Sequence, residues 1–356
     1  MLDQAMLDKL LKFGVDHGAS DVHFEVGAPP TYRIKGELLK AKVEPLTPEA
    51  TLTIGEIILA DRKLDLTELF PEQDASYSIP GLSRFRVSVF RQRGSVGCVL
   101  RVVPLEIQRI EELNLPSVLK DIANARRGLV LITGATGTGK STTIAAMLQH
   151  VNDTRKAHII TIEDPIEFLF ENAQSMIIQR EVATDTHDYR SGMIAALRQD
   201  PDIIMLGEVR DQTTAAICLK AAETGHLVIT TLHTPDVTST IKRFTGFFER
   251  DDTQLARLAE VLQAVVSLRL VPKADMSGVV PAVEIMRVTH TLQECIREVE
   301  KHGEILDHLG KGREMYGMQT FDQHLSEMVR NQVVALETAK EAATRPGELE
   351  RALLVE

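Results

Sequence analysis

Apolar residues recur along this 356-residue chain in several rhythms, and each rhythm predicts a different kind of element. Near the start, Met6, Leu7, Leu10 and Leu11 share one face at helical spacing, which predicts a short amphipathic helix. The rhythm then shortens: GASDVHFEV reads as a turn and a strand, and TYRIKGELLK as two short strands about Lys35-Gly36. Thr47, followed by Pro48, caps a predicted helix running to Ala60. RFRVSVFRQRG and VGCVLRVV read as a hairpin joined over Gly94 to Gly97. Strand alternation puts Phe85, Val87 and Val89 on one side of it, with Arg84, Arg86 and Ser88 on the other.

Beyond residue 117 the apolar runs become continuous, at 129–133, 158–162, 203–206 and 227–231, with helical spacing after most of them. Continuous runs alternating with helices predict a parallel α/β sheet buried on both faces. Past residue 290 the spacing is helical again, at 292–301, 321–331 and 335–343. The chain accordingly divides into a first unit (1–103), a proline-bounded linker (104–116), an α/β domain (117–290) and a C-terminal helical region (291–356).

The strand at 129–133 runs into Gly134-Ala135-Thr136-Gly137-Thr138-Gly139-Lys140-Ser141-Thr142. Glycines at both ends of such a turn let successive N–H groups point inward at phosphate, and the helix that follows adds its positive end. Lys140 is placed for the outer phosphates and the Ser141 hydroxyl for Mg2+, so the stretch is expected to bind ATP or GTP. Hydrolysis further requires a carboxylate in the metal shell and a group to orient water. Two strands end in acids: Glu163 follows the run 158–162, and Glu208 follows Gly207, where the usual second motif of phosphate-loop ATPases has Asp. His226 and His233 flank LVITT seven residues apart, too far to share one metal, with His233 at the phosphate end. Arg86, Arg93 and Arg101 belong to the arginine-rich hairpin, either as a solvated basic face or as ligands to a nucleotide held elsewhere.

Charge and cysteine content narrow the partners. A formal net charge of −11 argues against a broad nucleic-acid-binding face. The N-terminal sequence has no secretory pattern, and no apolar run approaches the ~20 residues of a membrane span, which predicts a cytosolic chain. Cys98, Cys218 and Cys295 lie far apart and are expected to be reduced and buried, with neither a disulfide frame nor a zinc site.

GATGTGKSTT, HIITIEDPIEF, LRQDPDIIMLGEVRD and AAETGHLVITTLHT, in this order, closely resemble the secretion ATPases of the type II and type IV pilus superfamily. GASDVHFEV and SRFRVSVFRQRG resemble that family's N-terminal domain, and MQTFDQHL the tail of its pilus-retraction branch. The resemblance implies a PAS-like α+β domain before a RecA-like ATPase domain, assembled as a homohexamer that uses ATP and Mg2+. It further implies Glu163 as general base, Glu208 in the magnesium shell, His226 and His233 as the family's His box, and Arg86, Arg93 and Arg101 as candidates to meet ATP from the N-terminal domain. No four-cysteine metal site of the extension and secretion motors can be built here, which points to the retraction branch. An inner-membrane pilus platform protein, and a paralogous pilus ATPase, are the implied partners, with the chain peripheral to the membrane on its cytoplasmic side. The family's AIRNLI segment corresponds to residues 291–296, where only the apolar pattern persists. The competing readings are an accessory paralogue, a motor of another secretion system, and an ATP-dependent adapter with little turnover of its own.

Overall fold

The computed structural model describes residues 2–60, 72–104, 106–248 and 251–354. Two compact units divide the chain, one of Met1–Glu106 with Pro165–Leu169, the other of Ile107–Asp164 with Phe170–Glu356. In the first, β1 (Ala19–Phe24), β2 (Thr31–Ile34), β3 (Glu37–Lys40), β4 (Gln73–Ile79), β5 (Ser83–Gln92) and β6 (Ser95–Val102) form a sheet in the order β3-β2-β1-β6-β5-β4. Every neighbouring pair in it is antiparallel. Helices Gln4–Asp16 and Pro48–Ile58 share the apolar cluster of this sheet through Leu7, Leu11, Ile54 and Ile58. Asp3 and Thr47 cap them by accepting the Met6 and Ala50 amides at 2.8 and 3.2 Å. The α+β layering is the PAS-like one that the resemblance implies.

The arginine hairpin is tighter than its glycines suggest. Gln92 pairs with Ser95, so only Arg93 and Gly94 form the turn, at φ 50° and 80°. Gly97 instead lies inside β6 opposite Phe90, where an added Cβ would stand 3.0 Å from the ring. Its small size serves packing and not turning.

In the second unit β7 (Gly128–Thr133), β8 (His158–Glu163), β9 (Met176–Glu181), β10 (Ile203–Leu206), β11 (Leu227–Leu232), β12 (Leu262–Pro272) and β13 (Val279–Arg287) form a sheet. Its order is β13-β12-β7-β11-β10-β8-β9, parallel except for β13. Leu129 and Leu131 face one apolar cluster while Val130 and Ile132 face another, which is why β7 reads as an unbroken apolar run. The carboxyl ends of β7, β8, β10 and β11 gather at one edge, where ligands of open parallel sheets bind.

The C-terminal helices begin with His290–Arg297, and the helix expected over 292–301 breaks there. Glu298 adopts an extended conformation, and the chain continues as a 3-10 turn, Val299–Glu304, that buries His302. Farther on, Phe321, Leu325 and Met328 of helix Phe321–Arg330 pack with Val271, Val280 and Ala282 of β12 and β13. Glu284 of β13 is 1% exposed and accepts the amides of Val237 at 2.9 Å and Phe321 at 3.4 Å, the first residues of two helices. Burial pushes its carboxyl up to about 7, although both amides favour the anion.

Candidate functional site

The phosphate turn follows β7 directly. Gly134, Gly137 and Gly139 take φ values of 146°, 80° and 90°, and Gly139 caps helix Lys140–Thr154 in the left-handed conformation. A Cβ on Gly134 would stand 2.4 Å from Thr138 Oγ1 and 2.7 Å from the Leu268 carbonyl, so no other residue fits there. Beneath the turn, Thr133 Oγ1 shares hydrogen bonds with Ser267 Oγ at 2.7 Å and Thr240 Oγ1 at 3.2 Å, tying the loop to β12 and to helix Val237–Gly246. Ser141 and Thr142 occupy the first turn of the following helix. A cleft of about 310 Å3 adjoins them, lined by Thr138, Thr142, Leu115, Leu270 and Pro281 among others.

Lys140 Nζ donates to the carbonyls of Gly134 and Ala135, both at 2.9 Å, and stands 3.4 Å from His233 Nδ1. On its other side, His233 Nε2 lies 3.3 Å from Glu208 Oε2. An ammonium at Nδ1 and a carboxylate at Nε2 fit the tautomer with the proton on Nε2. Arg210 Nε completes the row by donating to Glu208 Oε1 at 2.6 Å. Lysine, histidine, glutamate and arginine thus run in one line past the carboxyl ends of β7, β11 and β10.

Glu163 ends β8, 6% exposed, and accepts from Thr161 Oγ1 at 2.6 Å and Gln179 Nε2 at 3.2 Å. Those two donors orient its carboxylate. Gly207, before Glu208, is a glycine for a steric reason: an added Cβ would stand 2.6 Å from the Tyr189 hydroxyl. Burial, with the nearby Asp164, Glu208 and Glu163 carboxylates, raises the Tyr189 phenol, which stays neutral.

The sequence expectations separate here. Lys140, Glu208 and His233 form one cluster, with Glu163 ending the strand next to β10. His226 does not join them. It precedes β11 at the opposite end, roughly 20 Å of strand away, and its Nδ1 faces the Ala221 carbonyl at 3.0 Å, the last turn of helix Gln212–Glu223. Within the first unit the side chains of Arg86, Arg93 and Arg101 are all exposed, but Arg101 Nε donates to the buried Asp21 at 2.8 Å. Burial alone would raise the Asp21 carboxyl, but hydrogen bonds from Arg101 and Ser20 outweigh it and hold it low. Thr161, Gln179, Tyr189 and Arg210 were not singled out by the sequence. Arg210 and Thr161 carry a local signal, each two residues from the glutamate it binds.

A phosphate turn and two strand-end glutamates on a parallel sheet, coupled to a PAS-like unit, define a class of P-loop ATPase. The chain belongs to the type II/IV secretion system protein family, whose model matches residues 3–351. It is an ATP-hydrolysing enzyme of that family. The type IV pilus retractation ATPase PilT of Pseudomonas aeruginosa is 41% identical over 342 residues, covering 96% of this chain and 98% of that protein. The type IV pilus ATPase PilU of the same organism is 38% identical over 335 residues, covering 93% and 87%. Among solved structures, the pilus retraction motor PilT with bound ADP matches at a TM-score of 0.86 and 38% identity, covering 96% of this chain and 98% of that one.

Proposed function

We propose that this chain is the subunit of a homohexameric, ATP-driven motor that retracts type IV pili by depolymerising the filament from its base. The observation that carries this reading is end-to-end similarity to a pilus retraction ATPase together with an intact phosphate turn and both strand-end glutamates. Lys140 and the amides of Gly134–Ser141 hold the β- and γ-phosphates. The geometry of the turn suits Mg2+: the Ser141 hydroxyl stands at the helix start, and the half-buried Glu208 carboxylate supplies an outer acceptor. Bound there, the metal neutralises phosphate charge. Glu163, oriented by Thr161 and Gln179, accepts a proton from the attacking water as its oxygen bonds to the γ-phosphorus and the bond to ADP breaks. His233 positions Glu208 against Lys140. His226 is left with a structural role. Arg86 and Arg93, exposed, are the arginines suited to reach nucleotide in an assembled ring, while Arg101 is committed to Asp21.

Among the described residues no helix is long and apolar enough to cross a membrane. In this reading, which rests on the similarity to pilus retraction ATPases, the motor works on the inner-membrane platform protein of the pilus from its cytoplasmic side, as a peripheral ring. Similarity to PilU favours one alternative, an accessory motor acting beside a paralogous ATPase. A strain lacking the gene, complemented with wild type or Lys140→Ala, separates these. Filaments that accumulate, stop shortening and are rescued only by wild type support the retraction motor. Loss of surface pili would make it an assembly motor, and normal retraction would make it an accessory or the motor of another system.

A further inference from the structure

We propose that Cys295, Glu304 and His308 form a binding site for a borderline divalent transition ion of the zinc class, apart from the nucleotide site. One ligand atom from each, the Cys295 sulfur, a Glu304 carboxylate oxygen and a His308 ring nitrogen, all lie within 4.8 Å of one another. The juxtaposition is built by three successive elements. Cys295 projects from helix His290–Arg297, Glu304 ends the 3-10 turn Val299–Glu304, and His308 lies on helix Ile305–Lys311. Glu304 and His308 are four residues apart through helical backbone, so they share a face. Leu292, Ile296, Ile305 and Leu309 belong to one buried cluster, which fixes the backbones carrying all three donors.

The donor set selects the ion. A thiolate and an imidazole disfavour Mg2+ and Ca2+, which take oxygen ligands, and suit zinc, whose three-ligand sites keep an open position. Cys295 is buried, His308 half-buried and Glu304 exposed, so the open position faces solvent. Among the described residues, neither the Glu304 carboxylate nor the His308 ring is engaged in a hydrogen bond or ion pair. The surroundings are anionic: Glu294 and Glu298 flank the cysteine, and the nearby Lys301 ammonium is bound to Glu298 at 3.0 Å. Binding displaces the thiol proton to solvent as the sulfur–metal bond forms. Cysteine number and spacing do not announce such a site, because only one of its donors is a cysteine. It falls in the 291–296 segment and just beyond. An ion here would staple helix His290–Arg297 to helix Ile305–Lys311 and add stability by mass action.

Cobalt is the probe. Reduced, chelator-treated full-length protein titrated with Co2+ is expected to develop thiolate-to-cobalt charge-transfer absorption at one equivalent, displaced by Zn2+ and indifferent to Mg2+. Cys295→Ser should abolish the band, and His308→Ala, at a partly exposed position, should weaken binding by about 100-fold or more. Retained ATP turnover in both variants reports that they fold. Absence of the band in wild type, its persistence in Cys295→Ser, or unchanged affinity in a folded His308→Ala would each overturn the site.

Discussion

Glu208 is held from two sides, by His233 and by Arg210, and its carboxylate is therefore aimed before any nucleotide arrives. Glu208→Gln is expected to retain ATP binding while turnover falls by about 100-fold or more, checked by fluorescent-nucleotide binding beside phosphate release. That outcome would also dispose of the adapter reading, since wild type would hydrolyse and the variant would not. His233 links Lys140 to Glu208 through its two ring nitrogens. His233→Ala should lower kcat by about tenfold, and His233→Gln should recover part of it, because an amide both accepts and donates. Steady-state kinetics of the pair decides this. What the sequence disclosed at this level was local chemistry: three glycines, a lysine and acids at strand ends are legible because each acts within a few residues. Gln179 beside Glu163 was not legible, since it arrives from a neighbouring strand, and Thr161 was passed over although it stands two residues before Glu163.

Pairs of elements meet at buried groups that titrate. Glu284 receives the first amides of helices Val237–Gly246 and Phe321–Arg330, with Asp236 raising and Arg269 lowering its carboxyl. Its folded value, about 7, lies above that of an unfolded glutamate, so the native state holds the extra proton and stability falls as pH rises through that interval. The group alone accounts for about 3 kcal/mol at most. His324, whose Nδ1 accepts the Val283 amide, runs the other way: burial holds it down to about 4, so stability rises with pH between there and the unfolded value. The two slopes oppose each other in acid, and Glu284 acts alone near neutrality. Thermal unfolding of Glu284→Gln should lose the decline that Glu284 imposes between about pH 4.5 and 7, leaving the His324-linked rise in acid unopposed. Runs such as 203–206 were readable as strands because both faces are buried. β9 was not, since as an edge strand it mixes exposed Met176 and Ile178 with polar residues.

For the molecule as a motor, the arginines of the first unit fall into two kinds. Arg101 neutralises a buried aspartate, and Arg101→Ala should destabilise this unit by about 1–2 kcal/mol. Arg86→Ala, and Arg93→Asn, which tolerates the left-handed turn, should leave stability within about 0.5 kcal/mol while lowering turnover of the assembled ring. Unfolding midpoints beside ATPase rates separate the two behaviours. The resemblance put all three arginines in one class because it compares positions in a hairpin. Only the register of β1 against β6, which sets Asp21 opposite Arg101, distinguishes them.

The close approach of the Tyr189 hydroxyl to Gly207 carries a consequence for descent. An aspartate at position 207, as in the common form of the second ATPase motif, would collide with that phenol, and a smaller residue at 189 would leave a hole beside a glycine. The phenol would have to move aside before a larger residue could enter at 207. Relatives that carry a larger residue at 207 are expected to carry a smaller or displaced side chain at 189, which a comparison of their sequences would check.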